Sequence, residues 1–283
     1  MGDRVRMRDR MLPCVFLPAL LLAIGADLEA QAQGAATRTG RAAALNDLTG
    51  YWVSVVTEDW RLRMIVPDPG DYLTLPLTAA ASKVADAWDP AADQAAGNQC
   101  KSYGAAAIMR VPGRLHIYWQ GDNTLRIDTD SGTQTRLLHF GGSAPPGTVP
   151  EWQGYSVASW VGQKPISTAG AGRPGSQGTR IGGQAAVDRR EDVAPGQGQL
   201  KVITTHMRPG YLRKNGVPYS GNATLEEYFD RFTEPDGDTW LVVTLIVTDP
   251  QYLVEPYITN AHFKKIPDGS GWDPTRCRVD QPR

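Results

Sequence analysis

The chain predicts an all-β protein in which an antiparallel meander closes into a barrel or a barrel-like sandwich, with one short helix near residues 78–88. Three observations carry that expectation. Polar and apolar residues alternate with period two over runs of six to ten residues, as strands with one buried face require. Those runs are separated by Gly-, Asp- and Asn-rich turns. Gly 30 and Pro 21 in 283 residues favour many turns over a helix bundle.

In chain order, Leu48 to Val56 is the first strand signal. Residues 67–100 mix Pro, Asp and Ala, and within them Leu77, Ala81, Val84, Ala85 and Trp88 have helical spacing that stops before Asp89-Pro90. Arg114 to Gln120 alternates strictly, Gly121-Asp122-Asn123 supplies a turn, and Thr124 to Thr129 alternates again. Asp130-Ser131-Gly132 then leads into a strand from Thr135 to Phe140. Tyr155 to Trp160 and Leu200 to Met207 are further strands. Thr224-Leu225-Glu226-Glu227 fits a helix capping box, but the turn at 234–238 and the Val/Thr/Ile run from Trp240 to Thr248 favour a hairpin of Thr224–Thr233 with that run. Pro256 to Ile266 is the last strand.

The ends and the middle carry organisation. Residues 1–32 read as a secretory signal peptide: Arg4, Arg6, Arg8 and Arg10 precede the apolar stretch Leu12–Ala26, and Ala30-Gln31-Ala32 is a small-x-small cleavage site. That stretch is shorter than the roughly 20 residues a membrane-spanning helix needs. The reading places the mature chain in the periplasm or outside the cell. Residues 33–45 are expected to be a disordered leader, and 46–283 a single β-rich domain. Residues 162–198 interrupt that domain as a Gly-, Pro- and Gln-rich flexible insertion. Of the three cysteines, Cys14 leaves with the signal peptide. Cys100 and Cys277 then form an even pair in an oxidising compartment, so a disulfide between them is expected. Closing about 177 residues contributes roughly 5 kcal/mol in the chain-entropy account.

Charge argues against some partners. Lys+Arg 29 nearly cancels Asp+Glu 30, which gives no footprint for nucleic acid. No GxSxG, P-loop, HExxH or dinucleotide fingerprint occurs, and no cofactor is implied. His116, His139, His206 and His262 lie on separate strands without an HxH pair, so no metal site is expected. Eight Trp and ten Tyr against five Phe suit half-exposed pocket walls.

Parity divides Arg114, His116, Tyr118 and Gln120 from Leu115, Ile117 and Trp119. The polar set is either solvated or, if the barrel closes the other way, lines a lumen. The densest chemical segment is Thr204 to Ser220. His206 ends a strand, and histidine is the side chain whose ordinary pKa suits acid–base work near neutral pH. Arg213 could clamp a carboxylate, and Tyr211 or Asn215 could donate to an oxyanion. Glu226 or Glu227, or Asp249 or Glu255, would orient the imidazole. The same Asn215-Gly216 is equally a strong turn signal.

Thr204 to Ser220, read with Asp249-Pro-Gln-Tyr-Leu-Val-Glu-Pro256, resembles a large group of secreted bacterial proteins of unknown function. The similarity takes in Asn98-Gln-Cys100, Asn123-Thr-Leu-Arg126 and Pro150-Glu-Trp-Gln-Gly-Tyr-Ser156. In that group the Trp160 strand ends in a tight hairpin, which implies that 162–198 is an insertion; no activity is implied. Gly50-Tyr51-Trp52 is similar to the Gly-x-Trp opening of lipocalins. That likeness implies a lipocalin-like barrel holding a small apolar ligand.

Together these readings predict a binding protein for a small, largely apolar molecule with a polar or anionic end. Trp52, Tyr118 and Trp119 would form walls, and Arg126 and Arg213 would meet the polar end. Two alternatives stand beside it. One is a cofactor-independent lyase, isomerase or hydratase with His206 as acid or base and Glu227 or Glu255 beside it. The other is an envelope interaction protein using the insertion.

Overall fold

A computed structural model describes residue 2 and residues 39–162 and 198–283. The expected signal peptide and the body of the insertion lie outside the described residues. The order of elements follows the hydrophobic alternation closely. Strand β1 (Gly50–Val55) is followed by four short helices, α1 (Trp60–Met64), α2 (Ala79–Asp86), α3 (Pro90–Ala95) and α4 (Ala105–Ile108), with a 3-10 turn at Gln99–Tyr103 before α4. Then come β2 (Arg114–Trp119), β3 (Thr124–Thr129), β4 (Gln134–Phe140), β5 (Tyr155–Gly162), β6 (Gly198–Thr205), the two-residue pair β7 (Gly210–Tyr211) and β8 (Pro218–Tyr219), β9 (Thr224–Thr233), β10 (Thr239–Thr248) and β11 (Tyr257–Ile266).

The strands close into a barrel in the order β1-β11-β10-β9-β6-β5-β4-β3-β2, with β2 pairing back onto β1. A closed barrel leaves no unpaired edge, which is how an all-β chain of this length avoids edge-to-edge association. The closure is not a plain meander. β4 and β5 run parallel, with Leu138 opposite Ser156 and Phe140 opposite Ala158. Residues 141–154, which hold Pro145, Pro146 and Pro150, carry the chain back between them. β5 and β6 pair as far as Gly162 opposite Gly198, so residues 163–197 connect the two strands of a hairpin.

The apolar face of each strand points inward. Trp52, Leu115, Ile117, Leu125, Ile127, Leu138, Leu200, Val202, Phe229, Leu241, Val243, Leu245 and Phe263 are all buried, and they fill the barrel. Arg114, His116 and Tyr118 therefore lie on the outer wall, not in a lumen. Of the expected leader, residues 33–38 lie outside the described residues and residues 39–45 pack at one end of the barrel. Gly40 N–H donates to Asn123 Oδ1 (2.7 Å), and Trp160 Nε1–H donates to the Gly40 carbonyl (2.9 Å).

The other end is covered by the excursion from Thr57 to Pro112, by the β7–β8 loop and by the tail after β11. Thr78 caps α2, its hydroxyl accepting from Ala81 N–H. Asp89 caps α3, where Pro90 occupies the first turn and needs no donor partner. Cys100 and Cys277 form a disulfide, with Cα atoms 5.1 Å apart, that ties the excursion to the tail. No helix among the described residues is long and apolar enough to cross a membrane.

Candidate functional site

The residues expected to form a site do not assemble as a set. Trp52 is wholly buried in the barrel and donates its indole N–H to the Leu48 carbonyl (3.0 Å). Trp119 packs against Phe140 near the leader end. Tyr118 and Arg126 lie on the outer wall, where both bind Asp128, at 3.0 and 2.9 Å. A ligand held inside the barrel would meet none of these polar groups.

The acid–base group is also dispersed. His206 is exposed just beyond β6 with a positive φ of 56°, and its Nδ1 lies 2.9 Å from Thr205 Oγ1. Glu227 projects into the barrel, where both its oxygens accept from Arg136 (2.7 and 2.5 Å). A carboxylate committed to a fully buried guanidinium has no free oxygen to orient an imidazole. Glu255 is exposed on the loop before β11. Among the described residues, no hydrogen bond joins His206 to either acid.

Tyr211 and Asn215 build the covered end of the barrel. The Tyr211 hydroxyl donates to Asp93 Oδ2 (2.6 Å), and burial followed by that carboxylate pushes its ionisation well above the usual tyrosine range. Asn215 is fully buried and donates Nδ2–H to the carbonyls of Asp68 and Asp71 (3.1 and 3.0 Å), holding the loop between α1 and α2.

Arg213 is where expectation and structure meet. It lines a small cavity of about 40 Å³ under the covering segments, together with Arg63, Arg110, Lys214, Ser102 and Pro282. All four cations are buried, from 5 to 8% exposed. Each is held by a different device. Arg213 donates to the Leu73 carbonyl (2.7 Å) and Thr74 Oγ1 (2.8 Å). Arg110 pairs with Asp59 (2.9 Å). Lys214 donates to the Tyr103 hydroxyl (2.5 Å) and to the Gln281 carbonyl (2.7 Å). Asp59 and Thr74 take positive φ values of 50° and 69°, a costly backbone for non-glycine residues that places both partners of the arginines.

The charges here do not balance. Asp59 serves Arg110 at 2.9 Å and sits 3.7 Å from Arg213. Glu58 is 3.5 Å from Arg110 but spends its hydrogen bonds on β11, accepting from Thr259 Oγ1 (2.6 Å) and from the Asn260 amide and side chain (both 3.1 Å). Although Glu58 and Asp59 act on it from a distance, Arg63 makes no salt bridge among the described residues. Its Nε–H donates to the Arg110 carbonyl (2.8 Å), while Nη1 and Nη2 are buried with no acceptor among the described residues. Burial, then repulsion from Arg110, pushes the Arg63 guanidinium down to about 10, so it stays charged at neutral pH. Burial pushes the Lys214 ammonium down to about 7, with Asp280 pulling the other way. A buried charge without a partner costs several kcal/mol in general, which natural chains seldom carry without a use.

Beside this cavity, and sharing Pro112 and Pro282 with it, runs a mostly apolar groove of about 300 Å³ with Val53 and Met64 in its walls. Met64 and Ile65 are each half exposed beside it.

Arg63 and Arg110 carried no distinctive signal in the sequence. They lie 47 residues apart in a segment without periodicity, and only the closure of the barrel brings them to Arg213. Searches of family models, curated proteins and solved structures found no match to this chain.

Proposed function

We propose that this protein binds a small amphiphilic molecule by its anionic end, at the covered end of the barrel and outside its interior. The observation that carries the reading is Arg63: a guanidinium 5% exposed, lining a cavity with three further cations, with two donor nitrogens unmatched. A pre-positioned cluster of this kind favours an anion because the cost of ordering and desolvating its donors falls on folding, not on binding. The adjoining groove of Val53, Met64, Pro112 and Pro282 gives the apolar part of the molecule a place to leave water. The barrel interior is packed with side chains, so it offers the ligand nothing comparable.

The enzymatic reading draws less support. Lys214 is the buried amine nearest in kind to a reactive group. It spends its protons on Tyr103, Gln281 and, at 3.5 Å, the Arg278 carbonyl, which suits a fixed charge better than a nucleophile.

Calorimetric titration with sodium decanoate and with decyl phosphate tests the proposal. At least one should bind, with affinity reduced at least tenfold in Arg63→Met and unchanged in Lys201→Met, which removes a cation from the outer wall. If neither binds, or if Arg63→Met binds as tightly as the parent, the reading fails.

A further inference from the structure

The size and chemistry of the cavity say more about the anion than that it is negative. A cavity of about 40 Å³ is small, and of the common anionic heads a planar carboxylate of three heavy atoms is the most compact. A phosphate or sulfate ester head has five and carries its charge on a tetrahedron of oxygens.

The free donors match the smaller head as well. Nη1 and Nη2 of Arg63 lie in one guanidinium plane, and a planar carboxylate can take both in parallel hydrogen bonds. Of the surrounding cations, Arg213 commits both Nη1 and Nη2 to partners and Arg110 commits Nη2 to Asp59, so neither offers the second full fork that a dianionic tetrahedral head would use. The net charge points the same way. Against Arg63, Arg110, Arg213 and Lys214 stand Asp59, Glu58 and Asp280, so the described residues leave an excess of one positive charge, which a monoanion neutralises.

On the reading given under Proposed function, we infer that the ligand is a monocarboxylic acid with an apolar chain, its carboxylate on Arg63 and its chain in the Met64–Pro282 groove. Pro112 and Pro282 line both the cavity and the groove, so the two sites are neighbours and a short molecule can address both. The bare head without its chain would bind weakly, because the groove would stay wet. The chain without its charge would leave Arg63 unmatched.

The test is a matched series on the full chain: decanoate, decyl phosphate, decanol and acetate, each titrated by calorimetry at pH 6.5. The expected result is decanoate at least tenfold tighter than decyl phosphate and than acetate, with no measurable decanol binding. Decyl phosphate equal to or tighter than decanoate would overturn the carboxylate assignment while leaving the anionic-end reading intact. Failure of all four would remove that reading itself. Acetate as tight as decanoate would overturn the groove. A second variant, Met64→Asp, changes an exposed side chain. It should weaken decanoate at least fivefold without altering acetate, and unchanged decanoate affinity would contradict the placement of the chain.

Discussion

Arg136 and Glu227 face each other across the interior of the barrel, both fully buried, joined by two parallel hydrogen bonds of 2.7 and 2.5 Å. Arg136 also reaches Thr204 Oγ1 at 3.4 Å, and Thr204 Oγ1 lies 2.7 Å from Ser156 Oγ. Arg136 Nε has no acceptor among the described residues, but both Nη groups and both carboxylate oxygens are engaged and the surrounding barrel is packed, so the interior holds charge without offering a site.

The pair has a stability signature. Removing one partner strands a buried charge, at a general cost of about 3–5 kcal/mol, whereas replacing both by apolar residues is often near neutral. Arg136→Met should therefore lower unfolding free energy in urea by about that amount, and Arg136→Met with Glu227→Leu should recover most of it. A double variant as unstable as the single one would show that the pair contributes net stability.

Arg63 should behave in the opposite way. Its Nη1 and Nη2 have no acceptor among the described residues, so Arg63→Met removes a charge without an ion-pair partner there at the loss of one hydrogen bond from Nε to the Arg110 carbonyl. A gain of about 1 kcal/mol in urea unfolding is expected, alongside lost ligand affinity. Stability given up at a site and recovered on its removal is the usual trade of function against stability. A destabilised Arg63→Met would mark the residue as structural.

Lys214 gives the site a pH dependence. Around it stand Arg63, Arg110 and Arg213, Asp280 of the tail, and the Tyr103 hydroxyl, which burial holds above its ordinary range. Lys214 falls from 10.5 to about 7 on folding, so the unfolded chain binds the extra proton between those values. The sign is that stability rises with pH from about 7 towards 10.5, by at most about 1.4 kcal/mol per unit from this group. An anion prefers the charged ammonium, so affinity should be full below pH 7 and fall as pH rises above it. Lys214→Met should flatten both profiles, and profiles unchanged by that variant would remove Lys214 from the account.

The disulfide holds one wall of the site. Cys277 anchors the tail that supplies Pro282 to the cavity and the Gln281 carbonyl to Lys214. With 177 residues between the cysteines, the chain-entropy account assigns the bridge about 5 kcal/mol. Cys100→Ser with Cys277→Ser should cost about 3–5 kcal/mol in urea and weaken ligand binding several-fold at temperatures where the chain stays folded. Unaltered affinity in the folded double variant would separate the tail from the site.

Period-two alternation made most of the barrel legible. Thr224–Thr233 emerges with the limits expected, and Gly121 makes its turn with a positive φ of 77°. Alternation could not say that β4 and β5 run parallel, because parity marks faces and not directions. Three of the four short helices went unread. α1 and α4 are too short to show a period, and Asp89-Pro90, which in sequence marks the stop of one helix, is the cap and first turn of the next. In the site, Arg213 was visible because it sits in a dense polar loop. Trp52 looked like a pocket wall and belongs to the core. Arg63 and Arg110 become partners only through contacts distant in sequence, which no local pattern encodes.

The central claim is that a carboxylate binds Arg63 and its chain lies in the groove outside the barrel. A crystal structure of the protein with 10-bromodecanoate reads both ends at once. The account predicts the carboxylate on Arg63 Nη1 and Nη2 and an anomalous bromine peak beside Met64 and Val53. A bromine peak inside the barrel among Leu245, Val202 and Phe229, or a carboxylate seated away from Arg63, would contradict it.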